Sequence, residues 1–439
     1  MNPPRLARRL AIAVLVAAPA LSASMFASAA AAADWPQWRG PNRDGHAAAG
    51  AKLPASFPAK PAVAWKADIG FGLDSPVVAG GKVFLLNDQK NDDGNGQARG
   101  GREVVRAFDA ATGKPLWQAD LDEAFKDSQA EGKAGPRCTA VVDGDLLFAQ
   151  SARGTLKCLS ATDGKEVWTT NYTKDFGATF IGEKGQAVGS TRHGNTGAPV
   201  VDGEHLIAGV GGKDAGYVCF EKKTGKVVWK AAIADVPAYS APVVATLAGR
   251  KQVVAFTTTG VIGIDRAEGK ELWRVPVKTA LGRHAVTPVV AGDVVVVGSF
   301  NAGLLGVKVT AAGDAVKAEQ AWATKETMPN FSSPVLVNGK LYGVGQALKV
   351  FCADPATGKI EWTNQSNLGK EHAGLIAVGD AVLALGDNGD LVAFAADAGG
   401  YKELGRATVA GKNWCVPAYV DGRLYLRDWR ELKCVELGK

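Results

Sequence analysis

The chain has 439 residues, of which 46% are apolar and 21% charged, with 54 glycines and a formal charge of +6. That apolar share supports a real core and excludes wholesale disorder. Three of the positive charges, Arg5, Arg8 and Arg9, fall in the first 33 residues, which carry no acid, so the remaining +3 does not point to a nucleic-acid binder.

In chain order, residues 1–33 read as a secretory signal: RLARR, then the apolar LAIAVLVAAPAL, then small residues ending at Ala33 before Asp34. The apolar run is too short for a membrane span, and no later segment is a candidate. Adjacent Arg8 and Arg9 leave a twin-arginine route open beside the general one. No cysteine precedes Cys138, so no lipid-modified cysteine is expected at the processed end. Residues 34–61, opening DWPQWRGPNRDG, form a leader. The segment AVAWKADIG (62–70) then predicts a tryptophan-marked strand with no opening strand before it.

From there a repeat runs to the end. Its openings are SPVV (75–78), TAVV (139–142), APVV (198–201), APVV (241–244), TPVV (287–290) and SPVL (333–336), with looser copies LIAV (375–378) and PAYV (417–420). Each closes through a turn and a strand marked by tryptophan: TGKPLW, TDGKEVW, TGKVVW, EGKELW and TGKIEW, plus the degenerate AVKAEQAW and GGYKELGR. That leaves seven closings for eight openings, and residues 62–70 supply the eighth. Four short strands per 40–60 residues predict an all-β, eight-bladed β-propeller of four-stranded blades over residues 62–439, closed by the N-terminal strand pairing with the last blade. Closure removes an exposed sheet edge.

The repeat explains its residue choices. Glycine supplies the positive φ of each turn. Seven of the 11 tryptophans (Trp65, Trp117, Trp168, Trp229, Trp273, Trp322, Trp362) fall on fourth strands, where they are expected to pack between blades rather than stack on a cofactor. Third strands place Ala107, Cys158, Cys219, Gly263, Gly306, Cys352, Ala393 and Cys434 at one small-residue slot, so those four cysteines act as small apolar groups. Cys138 and Cys415, read as preceding the openings of neighbouring blades, are the one pair for which a disulfide is conceivable; free thiols are expected.

This pattern resembles the pyrroloquinoline-quinone-like (PQQ-like) propeller repeat: VRAFDAATGKPLW (105–117) matches it almost throughout and VFCADPATGKIEW (350–362) closely. The leader resembles the start of secreted PQQ-like proteins of planctomycete-type bacteria. The resemblance implies one of two branches. Quinoprotein dehydrogenases hold the quinone with calcium over the propeller axis, often against adjacent cysteines, and this chain has no Cys-Cys dipeptide. The other branch, the outer-membrane assembly factor B type, is a cofactor-free periplasmic propeller that binds proteins; its anchoring cysteine is absent here.

In a propeller, the loops leading into the opening strands gather at the channel mouth. They carry Asp74, Arg137, Arg192, His193, Asn195, Tyr239, Arg283, His284, Asn330, Phe331, Glu371, His372, Asn413 and Trp414. Such convergent polar and aromatic groups form the default ligand-site expectation, favouring an anion, a sugar-like hydroxyl array or a carboxylate. The plainer alternative is exposed loops whose arginines and histidines bond blade carbonyls. A metal held by His193, His284 and His372 is not expected, because they lie on alternate blades. The polar stretch NDQKNDDGNGQARGG (87–101) fits no EF-hand frame and reads as a surface loop that could overhang the mouth.

No G-x-S-x-G, H-E-x-x-H or P-loop motif is present. The leading expectation is an exported, monomeric, non-catalytic scaffold with no cofactor, in the periplasm or outside the cell, binding a protein or polysaccharide partner of the cell envelope. The alternatives are a PQQ- and calcium-dependent dehydrogenase, with the mouth arginines on the quinone carboxylates, and a carbohydrate-binding propeller with Tyr239, Phe331 and Trp414 as platforms.

Overall fold

The computed structural model describes, besides Met1, residues 34–90, 101–125, 135–179, 193–233, 235–279 and 282–438; the expected signal sequence lies outside them. Eight four-stranded antiparallel sheets follow one another along the chain. Blade 1 comprises Val77–Ala79, Lys82–Lys90, Gly101–Asp109 and Pro115–Glu123. Blades 2 to 7 span 141–171, 200–231, 243–276, 289–324, 335–365 and 373–408. Blade 8 takes Ala418–Val420, Arg423–Arg427 and Glu431–Glu436 from the end of the chain, and its outer strand is Ala62–Asp68, antiparallel from Ala62 opposite Glu436 to Asp68 opposite Glu431. The ring is thus an all-β propeller closed by its two ends.

Register accounts for the repeat. The small-residue slot on each third strand lies opposite the tryptophan of the fourth: Ala107 faces Trp117, Cys158 Trp168, Cys219 Trp229, Gly263 Trp273, Gly306 Trp322, Cys352 Trp362 and Cys434 Trp65. From there the indole reaches the next blade. Trp65 Nε1 donates to the Ala110 carbonyl at 2.9 Å, and a Cβ on Gly113 (φ +72°) would stand 2.4 Å from the same ring. Gly113 is therefore fixed twice, by backbone handedness and by the tryptophan. Trp117, Trp168, Trp229, Trp322 and Trp362 bond the following blade in the same way. Trp273 departs: blade 5 closes through a long hairpin whose turn glycine, Gly313, has no ring packed on it, and the indole donates instead to Gln252 Oε1 of its own blade at 2.6 Å.

All six cysteines are free and buried. Cys138 leads into blade 2 and Cys415 into blade 8, with blade 1 between them, so contrary to expectation they are not on neighbouring blades. The polar insertion is also shorter than its composition suggests. Strand Lys82–Lys90 runs through Asn87 and Asp88, both buried, and pairs with Gly101–Asp109; residues 91–100 lie outside the described residues.

The leader is the axle of the ring. Trp35, 1% exposed, exchanges backbone hydrogen bonds with Val78 of blade 1, and Pro36 accepts from Val142 of blade 2. Arg43 donates to the carbonyls of Ala198, Pro199 and Pro242, and Arg39 to those of Ser333 and Pro334, joining blades 3, 4 and 6. Trp38 Nε1 donates to Thr287 Oγ1 of blade 5 at 2.9 Å, residues 45–47 pair with Ala377 of blade 7, and the Lys52 carbonyl accepts from Tyr419 of blade 8. One short segment thus hydrogen-bonds all eight blades and satisfies carbonyls of blades 1, 3, 4, 6 and 7. It then supplies an aromatic that blade 7 lacks. Gly405 stands where the tryptophan would be, opposite Ala393, and Phe57 covers it: a Cβ there would lie 2.5 Å from that of Phe57.

Candidate functional site

Above Trp38 the channel opens into a cavity of about 570 Å³, within the size range of ligand pockets. Its rim comes from the loops ahead of the opening strands: Leu73, Arg137, His193, Tyr239, Arg283, Asn330 with Phe331, Glu371 with His372, and Trp414, one loop from each blade. Deeper positions Thr139, Thr196, Ala198, Ala241 and Ala285 line the wall, and Trp38 forms the floor.

Nine of the expected residues therefore come together here. Three do not. His284 is fully buried, its ring stacked on Phe256 at 4.1 Å between centroids and its Nδ1 bonded to the Thr257 carbonyl. Asn413 is buried and donates to the carbonyls of Gly386 and Gly411. Asn195 donates to the Ala152 carbonyl at 3.1 Å and lines a separate narrow crevice. All three spend their polar atoms on the scaffold, as the plainer sequence reading had it. Arg192 lies outside the described residues. Asp74 is also structural: it is buried against Arg427 and accepts from Leu86 N at 2.7 Å, with burial pushing its carboxyl up to about 6.

The cup has two chemically distinct arcs. Blades 6, 7 and 8 carry an aromatic run in which Trp414 lies 5.1 Å from Phe331 and stacks on His372 at 5.8 Å. Burial lowers the His372 imidazole to about 4, so it is neutral, and its Nδ1 has no partner among the described residues. Blades 2 to 5 carry Arg137 and Arg283 on either side of His193 and Tyr239, whose rings lie 5.8 Å apart. Below the floor, burial lowers Arg39 to about 10 and Arg43 to about 9, so both stay cationic at neutral pH, and neither makes an ion pair among the described residues.

Trp38 was beyond the reach of the repeat, because it belongs to the leader. The signal available in the sequence was that Trp35, Trp38, Trp414 and Trp429 are the four tryptophans off the fourth-strand register, and two of them line the cup.

The sequence model of a family described as "Outer membrane protein assembly factor BamB" matches residues 101–364, more than half of the chain. The chain belongs to this family. BamB of Shewanella oneidensis is 25% identical over 66% of this chain and 88% of its own length. BamB of Yersinia pestis is 24% identical over 65% and 70%. Among solved structures, BamB from Moraxella catarrhalis superposes with a TM-score of 0.56 at 13% identity, covering 85% of this chain and 97% of that one. A quinohemoprotein alcohol dehydrogenase from Pseudomonas putida gives 0.51 at 13% identity, covering 92% and 80%. At such identities the structures share the fold alone.

A calcium-held quinone fits this cup poorly. Calcium takes about 6–8 oxygen ligands. Glu371 is the single carboxylate among the described lining residues, and no group of three acidic, histidine or cysteine side chains among the described residues could hold a metal. The described lining residues also include no serine, cysteine or lysine.

Proposed function

We propose that this BamB-family propeller is a non-catalytic scaffold of the cell envelope that presents its loop face to a protein partner in outer-membrane protein assembly. The observation that carries the reading is family membership over a ring whose leader is bonded to every blade. Loops mounted on such a ring lose little ordering entropy when a partner docks. Export is part of the proposal and rests on the charged and apolar pattern of residues 1–33. No helix among the described residues is long and apolar enough to cross a membrane. Deleting the gene in its host and quantifying folded outer-membrane β-barrel proteins tests the reading. A fall restored by the wild-type chain supports it, and unchanged levels overturn it.

A further inference from the structure

The cup has features that a protein-docking face does not require, and their meaning is independent of the scaffold reading. Its floor is closed, because Trp38 and the arginines beneath it fill the axis. A polymer cannot thread this channel; it can only insert an end. The cationic groups lie off the aromatic run: Arg283 is on the loop beside that of Phe331 and Arg137 is three blades further round, with Glu371 the one carboxylate among the described lining residues, and buried Arg39 and Arg43 add positive potential through a low-dielectric wall. The aromatic run of Phe331, Trp414 and neutral His372 offers flat apolar faces. The Asn330 Oδ1 and His372 Nδ1 atoms are buried and have no hydrogen-bond partner among the described residues; Asn330 lines the cup, and a turn of its amide offers the oxygen to a donor such as a hydroxyl.

A ligand meeting all four conditions has a carboxylate for Arg283, a ring with a flat face for the aromatics, a hydroxyl donor for Asn330, and one free end. We propose that the cup binds a uronic acid residue at the end of a carbohydrate chain. The carboxylate meets Arg283, the ring lies against Phe331 and Trp414, and a rotation of the Asn330 amide brings its oxygen to a ring hydroxyl. An aromatic carboxylate satisfies Arg283 and the platforms but brings no hydroxyls, and a neutral sugar lacks the charge.

The test uses the full processed chain and the monosaccharide D-glucuronate, with D-glucose and benzoate as comparisons, followed by calorimetry and by tryptophan fluorescence, which Trp38 and Trp414 report from inside the cup. Saturable one-to-one binding of glucuronate, about tenfold or more tighter than either comparison, is expected. Arg283→Met abolishes the preference over glucose, whereas Phe331→Ala weakens both sugars. Melting curves show whether each variant is folded, and Asn330→Leu replaces either one that is not, with loss of glucuronate affinity expected. A uronide trisaccharide binds at least as tightly as the monosaccharide if a chain end is read. Absence of saturation, equal affinity for glucose, tighter binding of benzoate, or unchanged glucuronate affinity in folded Arg283→Met or Asn330→Leu overturns the proposal; exclusion of the trisaccharide overturns its chain-end part.

Discussion

Replacing Asp88 by asparagine should stabilise the protein in a pH-dependent way. Asp88 and Glu103 are direct cross-strand partners in blade 1, both with 0% exposure, and neither Asp88 carboxylate oxygen nor Glu103 Oε1 has a hydrogen-bond partner among the described residues. Burial pushes the Asp88 carboxyl up to about 7, against the opposing pull of Arg427. Burial and then the Asp88 charge hold Glu103 well above the carboxylate range, although its Oε2 accepts from Ala152 N at 3.0 Å and Arg153 lies near; Asp122 adds a further like charge. In the unfolded chain an aspartate ionises near about 3.9. Below that value both states keep the proton. As pH rises toward 7 the unfolded state releases it first, so the folded state loses stability across that window. Three pKa units at about 1.36 kcal/mol each give about 4 kcal/mol, and local relaxation lowers this to about 2–4 kcal/mol. Asparagine cannot ionise, and its amide can donate to Glu103 Oε1. At about 2.1 cal/mol/K per residue, a chain of about 400 residues shifts its Tm by about 1 °C per kcal/mol. Asp88→Asn should therefore melt about 2–5 °C above the wild type at about pH 8 and at nearly the same temperature at about pH 4. An offset of the same size at both pH values, or a lower Tm at alkaline pH, would refute the reasoning.

Phe57→Ala should cost about 2 kcal/mol in urea unfolding, below the cost for a fully buried phenylalanine because the ring is only partly buried. No loss would mean that the leader does not complete blade 7. Arg43→Met strips the carbonyls of Ala198, Pro199 and Pro242 of a donor and should lower stability by about 3 kcal/mol or more, with limited proteolysis of the leader as a second readout. The six thiols should resist a water-soluble disulfide reagent in the native protein and all react in denaturant. Burial raises them, Cys415 to about 12, and rapid native labelling would contradict the packed slots.

The architecture was readable because each blade repeats one register: a small residue opposite Trp117 or Trp168 and a glycine beneath the preceding tryptophan are local consequences of packing. The missing fourth strand could be found at Trp65 by the same logic. The cup was readable in its rim alone. Arg137, Tyr239 and Trp414 sit where the loop rule puts them, but that rule cannot distinguish them from His284 or Asn413, whose neighbouring positions turn into the wall. The floor was hidden because Trp38, Arg39 and Arg43 belong to no repeat. The two arginines bond mostly backbone carbonyls, which every residue has and no motif records. Asn87 and Asp88 look like loop residues by composition and are held in a strand by the ladder to Val104 and Glu103.

The seam between Ala62 and Glu436 sets an order of events during synthesis. The segment emerging first finds its partners last, so the intermediate blades can form while the circle stays open and its unpaired margins remain sticky. Contacts of such sequence separation are slow to form. Truncation near the carboxyl end should expose both flanks of the gap at once.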